Sequence, residues 1–378
     1  MSKLPIAKPY LTADEAQGAY DVILTNWVTQ GPKVQEFEEK FAAYVGSKYA
    51  VAVSNCTTAL HLAMIVAGVK EGDEVICPSM SYIATANSVK YAGAKPVFAE
   101  VGPDYNIDIE HVKALITPKT KAILIVHQIG IPSDIDAYSK LCKEKNLVLI
   151  EDAACAAGSS YKGKKIGSHS DLVCFSFHPR KVITTGDGGM ISTNREDYST
   201  RLKLLRQHGM SVNDRVRHAS DKIIFEEHVE VGYNYRMTDI QAAVGIKQLE
   251  KLDMIVEARR KIAERYNEAF KNIPQIELYK ENTDHHVNYQ SYVIFIKPGG
   301  KLTRNTFMEA MNAEGVSTRR GVMTTHREPA YEKECKGLKL PKSEFYSDNS
   351  VVLPLFYPMT NEEIERVIST VRKIFNAA

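Results

Sequence analysis

From about residue 49 to 192 the chain alternates short Val/Ile/Ala-rich runs with longer amphipathic segments, and no other feature constrains its fold as strongly. Strands joined by crossover helices produce this pattern, so an α/β architecture is expected. The strands are expected near residues 49–53, 74–77, 96–100, 121–127, 147–151, 171–176 and 188–192. Runs that are apolar throughout imply a mostly parallel sheet buried on both faces. Ahead of it, Thr12-Ala-Asp-Glu15 has capping-box spacing, and Pro32 through Val45 reads as a helix stopped by Gly46. Thr238 to about Lys271 is one long helical pattern, broken near Asp253 at most, which can carry the chain from one domain to another. The remainder holds a strand-like Ser291–Ile296, a helix around Asn305–Glu314 and a last helix capped by Thr360 and Glu363. The 378 residues are thus expected to divide into a large α/β domain (1–250) and a small α+β domain (251–378).

Composition narrows the partners. A net charge of +2, from nearly balanced acids and bases, gives no electrostatic reason to expect a nucleic acid or a membrane surface. No apolar run approaches the roughly 18 residues that span a bilayer, and the first ten residues lack the apolar stretch of a signal peptide. A soluble protein of the cytoplasm is expected. The six cysteines (Cys56, Cys77, Cys142, Cys155, Cys174 and Cys335) show neither C-x-x-C pairing nor zinc-site spacing, and read as mostly buried free thiols.

Ligands of open α/β sheets sit beyond the carboxyl ends of the strands, and three such ends carry polar residues. At Val53-Ser54-Asn55-Cys56-Thr57-Thr58 a strand gives way to a helix whose first amides can hold an anion, although an ordinary Ser/Asn helix cap has the same sequence. Leu147 to Ala154 is an apolar strand ending in Glu151-Asp152. A carboxylate there can fix a cofactor nitrogen's proton, bind a metal or be merely solvated, and no neighbouring ligands complete a metal cage. In the third stretch, Cys174 to Met190, Lys181 lies among apolar residues before a glycine-dense turn, as an amine nucleophile of the Schiff-base kind would. A lone lysine is ordinarily a surface residue, but these three strand ends in one domain supply the parts that hold pyridoxal phosphate.

On these residues the chain resembles the sugar aminotransferases of the DegT/DnrJ/EryC1/StrS type, in the aspartate-aminotransferase (type I) fold group. The resemblance runs from Trp27-Val-Thr-Gln-Gly31-Pro32 to the C-terminal helix. It is carried by Ser176-Phe-His-Pro-Arg-Lys181 with its Thr-Gly-Asp-Gly-Gly tail, Pro78-Ser-Met-Ser-Tyr82-Ile-Ala-Thr-Ala-Asn87, Glu151-Asp152-Ala-Ala, and Gly232-Tyr-Asn234-Tyr-Arg236-Met-Thr-Asp239. It implies that Lys181 holds the cofactor as a Schiff base, Asp152 bonds the pyridine nitrogen and Tyr82 stacks on the ring. It further implies a phosphate held by the backbone of Cys56 and Thr57, by the Ser176 hydroxyl, and by Asn234 or Arg236 of a partner subunit in a homodimer. Cys56 and Asp187 depart from the commoner Gly and Glu, and Cys155 and Ala157 replace positions that often carry Gln or His beside the cofactor's phenolic oxygen. Cys155 itself reads as a small buried thiol rather than a catalytic one.

The implied chemistry moves an amino group from L-glutamate, through pyridoxamine phosphate, to a nucleotide-linked keto sugar, with Lys181 shuttling the proton. Relatives that dehydrate keto sugars have a histidine at the position of Lys181, which argues against dehydration here. A cofactor-binding regulator would need no proton-transfer lysine beside an electron-sink acid. The resemblance favours a 4-keto-6-deoxyhexose over a 3-keto sugar and does not choose the nucleotide. His208, Arg215, His218, His326 and Arg327 lie in loop-like stretches that can meet a nucleotide diphosphate, with solvated surface charge as the plainer reading.

Overall fold

The structure, a computed structural model, describes residues 3–212 and 225–377. Seven strands occupy the expected stretches: β1 (Tyr49–Val53), β2 (Glu74–Pro78), β3 (Lys95–Ala99), β4 (Thr120–Val126), β5 (Val148–Asp152), then, after the two-residue strands β6 (Ser160–Tyr161) and β7 (Lys164–Lys165), β8 (Leu172–Ser176) and β9 (Gly189–Thr193). They form one sheet in the order β1-β9-β8-β5-β4-β2-β3. Only β9 runs against its neighbours β1 and β8, so the carboxyl ends of β1, β5 and β8 share one edge.

Each face of the sheet has its own core. Ala50 and Ala52 of β1 pack with Val34, Phe37 and Phe41 of α2 (Pro32–Val45), while Val51 and Val53 pack with Leu60 and Leu62 of α3 (Cys56–Val66). The two-residue alternation of a strand divides its side chains this way. α4 (Ala84–Tyr91) and the later α7 (Glu196–Leu205) share the α3 face, and α6 (Ile135–Lys145) shares the α2 face, with α5 (Ile109–Leu115) between α4 and α6 in the chain. The N-terminal α1 (Ala13–Leu24) opens on the expected capping box, with Thr12 and Glu15 each bonding the other's backbone. α2 ends at Gly46, whose φ of +74° is the left-handed conformation that glycine takes without cost. Its start is unusual: Gly31 offers no side-chain cap, and the Asp239 carboxylate accepts from the amides of Gly31 (2.8 Å), Lys33 (3.1 Å) and Val34 (2.9 Å) instead.

α8 (Asp239–Phe270) is unbroken, with Thr238 as its cap. Asp253 does not interrupt it because its carboxylate points outward, accepting from Tyr44 Oη and Lys165 Nζ at 2.7 Å each. Ala242 through Val256 pack into the α2-side core, whereas Ile262, Ala263, Tyr266 and Phe270 pack into a third core. That core underlies an antiparallel sheet of β10 (Ile276–Leu278), β12 (Tyr292–Ile296), β14 (Ser350–Leu353) and β13 (Arg319–Arg320), in that order. β11 (His285–His286) leaves this sheet to pair with β6. α9 (Arg304–Ala313), α10 (Pro341–Asn349) and α11 (Asn361–Ala377) complete the fold, and Thr360 and Glu363 cap α11 as expected. Among the described residues no helix is long and apolar enough to cross a membrane.

Candidate active site

The site lies at the shared edge where β1, β5 and β8 end. Asp152 closes β5 and is buried, with Oδ2 accepting from Thr85 Oγ1 (2.8 Å) and Oδ1 from the Ala154 amide (3.1 Å). Burial pushes its pKa above the usual carboxylate range, against the pull of those hydrogen bonds and of Lys181. No cation forms an ion pair with it among the described residues, so the pocket holds an acid suited to a protonated ring nitrogen.

Behind Asp152 sits a second acid, Glu151, on the opposite face of β5. His127 Nδ1 accepts from the Ser133 amide (3.0 Å), which leaves the ring proton on Nε2, facing Glu151 Oε2 at 2.7 Å. The His127 amide in turn donates to the Asp152 carbonyl (3.0 Å), fixing the strand end.

At the end of β1, Asn55 caps α3 by accepting from the Thr58 amide (3.0 Å). The cap and the anion site coexist here, because the amides of Cys56 and Thr57, the first two of the helix, have no carbonyl a turn earlier to bond. Gly189 presses against this turn: a Cβ on it would lie 2.4 Å from the Asn55 carbonyl and 2.8 Å from the Cys56 nitrogen. The glycine-dense stretch thus lets β9 approach the turn backbone to backbone. The Cys56 thiol is pushed well up by burial, with Asp152 adding to it. Ser176 ends β8, buried beside Asp152's strand, with Oγ accepting a long bond from the His178 amide (3.4 Å).

Lys181 follows β8, half-buried, and its Nζ lies 3.2 Å from Cys155 Sγ. Burial lowers its pKa, but Cys155, then Cys56 and Asp152, outweigh burial and leave it above the ordinary lysine value. Cys155 is therefore not the fully buried thiol that the sequence suggests. It is half-buried, and its carbonyl, like that of Ala157, accepts from Asn288 Nδ2 (2.9 and 2.8 Å), which aims the sulfur at the amine. Thr85, which holds the Asp152 carboxylate, lies inside the Pro78–Asn87 motif, but nothing in the sequence singles it out.

The structure brings Lys181, Asp152, Cys56, Thr57 and Ser176 together. Tyr82 stands at the mouth, 65% exposed, with its carbonyl opening the turn into α4. Asn234 and Arg236 do not join them. Their segment is held to its own chain by Tyr233 and Tyr235, whose amides donate to the Leu205 and Arg206 carbonyls (2.7 and 2.9 Å) and whose rings stack at 4.9 Å beside His61. Asn234 is exposed and Arg236 half-buried, and neither side chain bonds within the described residues. One loop residue differs from its surface reading, His326, while Arg327 is exposed as expected. His326 is buried between Ser79 Oγ (2.5 Å) and Glu344 (3.0 Å), and Arg327 pairs with Asp348, because α10 brings both acids to them. His208 is exposed as expected, while Arg215 and His218 lie outside the described residues.

These residues fit pyridoxal phosphate on three observations: open helix amides pressed by a glycine, a buried acid without a cation, and an amine turned inward beside both. A mostly parallel sheet with such a strand-end site defines the class of type I pyridoxal-phosphate enzymes. The chain belongs to the DegT/DnrJ/EryC1/StrS aminotransferase family, whose profile matches residues 9–372. It is 37% identical over 378 residues to protein MJ1066 of Methanocaldococcus jannaschii, covering 99% of this chain and 98% of that one. Among solved structures it is similar to Helicobacter pylori PseC, an aminotransferase involved in the biosynthesis of pseudoaminic acid (TM-score 0.93, 27% identity, 100% of both chains). Spr1654 of Streptococcus pneumoniae, solved in PMP and PLP forms, is similar at TM-scores of 0.93 and 0.92, with 26% and 27% identity over 99% of both chains. The protein is an enzyme, a pyridoxal-phosphate-dependent sugar aminotransferase.

Proposed function

We infer that the enzyme moves an amino group from L-glutamate to a nucleotide-linked keto sugar, a 4-keto-6-deoxyhexose, in a cytoplasmic pathway of amino-sugar and polysaccharide biosynthesis. The observation that carries this reading is the Lys181 amine set beside the buried Asp152, on a chain whose family is shown. When bound, pyridoxal phosphate supplies an electron sink and a carrier for the amine. Lys181 Nζ takes the proton from the donor's alpha carbon and later delivers one to the sugar carbon. Asp152 keeps a proton on the ring nitrogen, and Thr85 and the Ala154 amide hold its carboxylate in place. The amides of Cys56 and Thr57 and the Ser176 hydroxyl hold the phosphate. Cys155 keeps the lysine amine aimed inward in the place of the commoner Gln or His.

The same reading makes the enzyme a homodimer with shared sites and divides the chain near residue 250 into a cofactor domain and a small domain. Exposed Asn234 and half-buried Arg236, neither bonded within the described residues, support the dimer, as does the nearby exposure of Val229 (58%) and Val231 (88%), apolar surface of the kind that partners cover. The test is a panel of nucleotide-linked keto sugars added to the pyridoxamine-phosphate form, followed by the return of visible absorption. Fastest conversion with a 4-keto-6-deoxyhexose is expected. Conversion of 3-keto sugars alone would move the amine to another carbon, and no conversion by any sugar would overturn the reading.

A further inference from the structure

Two arginines at the outer end of the site have no counter-charge among the described residues. Arg180 immediately precedes Lys181, and its backbone is clamped to the C-terminal part of the chain, with its carbonyl accepting from Gln290 Nε2 (2.9 Å). Arg319 lies on β13 at the edge of the smaller sheet, in register with Val352 of β14. From there the chain continues to Thr324, which bridges to Met80, two residues before Tyr82. The segment after β13 is thus tied to the chain just before Tyr82. The Arg319 guanidinium, whose pKa burial lowers and Arg180 lowers further, also feels Cys155 and Tyr82.

Among the described residues neither guanidinium forms an ion pair or a side-chain hydrogen bond. Arginines close by are neutralised: Arg320 pairs with Glu328 at 3.4 Å and Arg327 with Asp348 at 2.7 Å. Two neighbouring positive charges repel each other, and an anion between them turns that repulsion into attraction.

Depth decides which anion. Asp152 and Cys56 are buried, Lys181 and Cys155 are half-buried, and Arg180, Arg319 and Tyr82 are exposed. The donor's α-carboxylate is attached to the carbon that surrenders its proton to Lys181, so it must sit at the level of the lysine. The diphosphate of a nucleotide-linked sugar lies a hexose ring away from the reacting carbon, at the level of the arginines. We propose that Arg180 and Arg319 together form the subsite for that diphosphate, one guanidinium to each phosphate. This rests on the sugar-transferring reading given above and adds to it the element that recognises the acceptor's charged end.

The test titrates thymidine 5′-diphosphate and uridine 5′-diphosphate into the pyridoxamine-phosphate-loaded enzyme by calorimetry, for wild type, Arg180→Ala, Arg319→Ala and the double variant. Both side chains are exposed, so the variants should keep the wild-type melting point, which is checked alongside. Each single substitution is expected to weaken the better-bound diphosphate about tenfold or more, and the double variant to flatten the salt dependence of binding. The single-turnover reaction with L-glutamate, read from loss of visible absorption, should keep its wild-type concentration dependence. Equal affinity in wild type and double variant, or no diphosphate binding by wild type, overturns the proposal. A weakened glutamate step with unchanged diphosphate affinity also overturns it and makes the pair a carboxylate site. Loss of diphosphate binding in the variants while no keto sugar is converted would leave the subsite standing and remove the reading beneath it.

Discussion

Replacing Asp152 with Asn separates what the acid does for the cofactor from what it costs the fold. The substitution keeps the shape: an amide oxygen can still accept from the Ala154 N–H, and the amide nitrogen can donate to Thr85 Oγ1, whose own proton then turns to Ser81 Oγ at 2.7 Å. Burial holds the Asp152 pKa above its ordinary 3.8. An acid raised on folding contributes fully below its unfolded pKa and loses that contribution as pH rises through the folded value. Above its ordinary pKa the buried acid therefore weakens the cofactor-free protein, and at neutral pH Asp152→Asn apoprotein should melt no lower than wild type. With cofactor bound, the same change breaks a buried ion pair with the ring nitrogen, a loss of about 3–5 kcal/mol, or roughly a hundred- to several-thousand-fold in turnover. Thermal melts of apo and loaded protein with steady-state rates at neutral pH read both effects. Turnover within about tenfold of wild type, or an apoprotein that melts well below it, would refute the reasoning.

Lys181→Ala should still bind pyridoxamine phosphate but show no visible lysine-bound absorption and lose about a hundred- to ten-thousand-fold or more in rate, as expected when a proton-transfer group is removed. Survival of the absorption band would assign the cofactor to another lysine. Sedimentation should find a dimer, and Asn234→Ala with Arg236→Ala should loosen the cofactor without altering the monomer fold; a wild-type monomer that retains its cofactor contradicts the shared site. Burial opposes ionisation of Glu15, but Lys251, Gln248 and Thr12 outweigh it and hold its pKa at about 2, below the ordinary 4.5. Its contribution is present above 4.5 and is lost as pH falls toward 2, so Glu15→Gln should cost about 2 kcal/mol near neutral pH and progressively less in acid, read by urea melts.

The seven strands were legible because each is an apolar run bounded by polar or glycine residues, and the capping boxes at Thr12 and Thr360 were legible because their signals are local. The direction of β9 was not. It depends on the turn through Gly186 and Gly188, which returns the chain beside β8 with no crossover helix, and composition does not encode that choice. Strands of two residues, such as β6 and β11, carry no periodicity to read. Within the site, the strand-end residues announced themselves by position, whereas the Lys181–Cys155 contact joins residues 26 apart through the register of β5 and β8. His326 looked like loop surface for the same reason: its partners Ser79 and Glu344 belong to distant segments.

The cap that Asp239 places on α2 has a consequence for how the chain is made. Its carboxylate serves amides some two hundred positions earlier, so α2 leaves the ribosome without the group that will close its first turn. At ordinary rates of synthesis the gap between Val34 and Asp239 amounts to roughly ten to forty seconds. During that time the start of α2 has only water for its open amides, and the aromatic face carrying Phe37 and Phe41 awaits the wall that α8 provides. Nascent chains halted before Asp239 emerges should be cut readily by protease near residue 31, and chains halted well beyond it should resist. The same late arrival seats Tyr235 against Ser54, so the β1 edge of the catalytic pocket is completed in the same stretch of translation that closes α2.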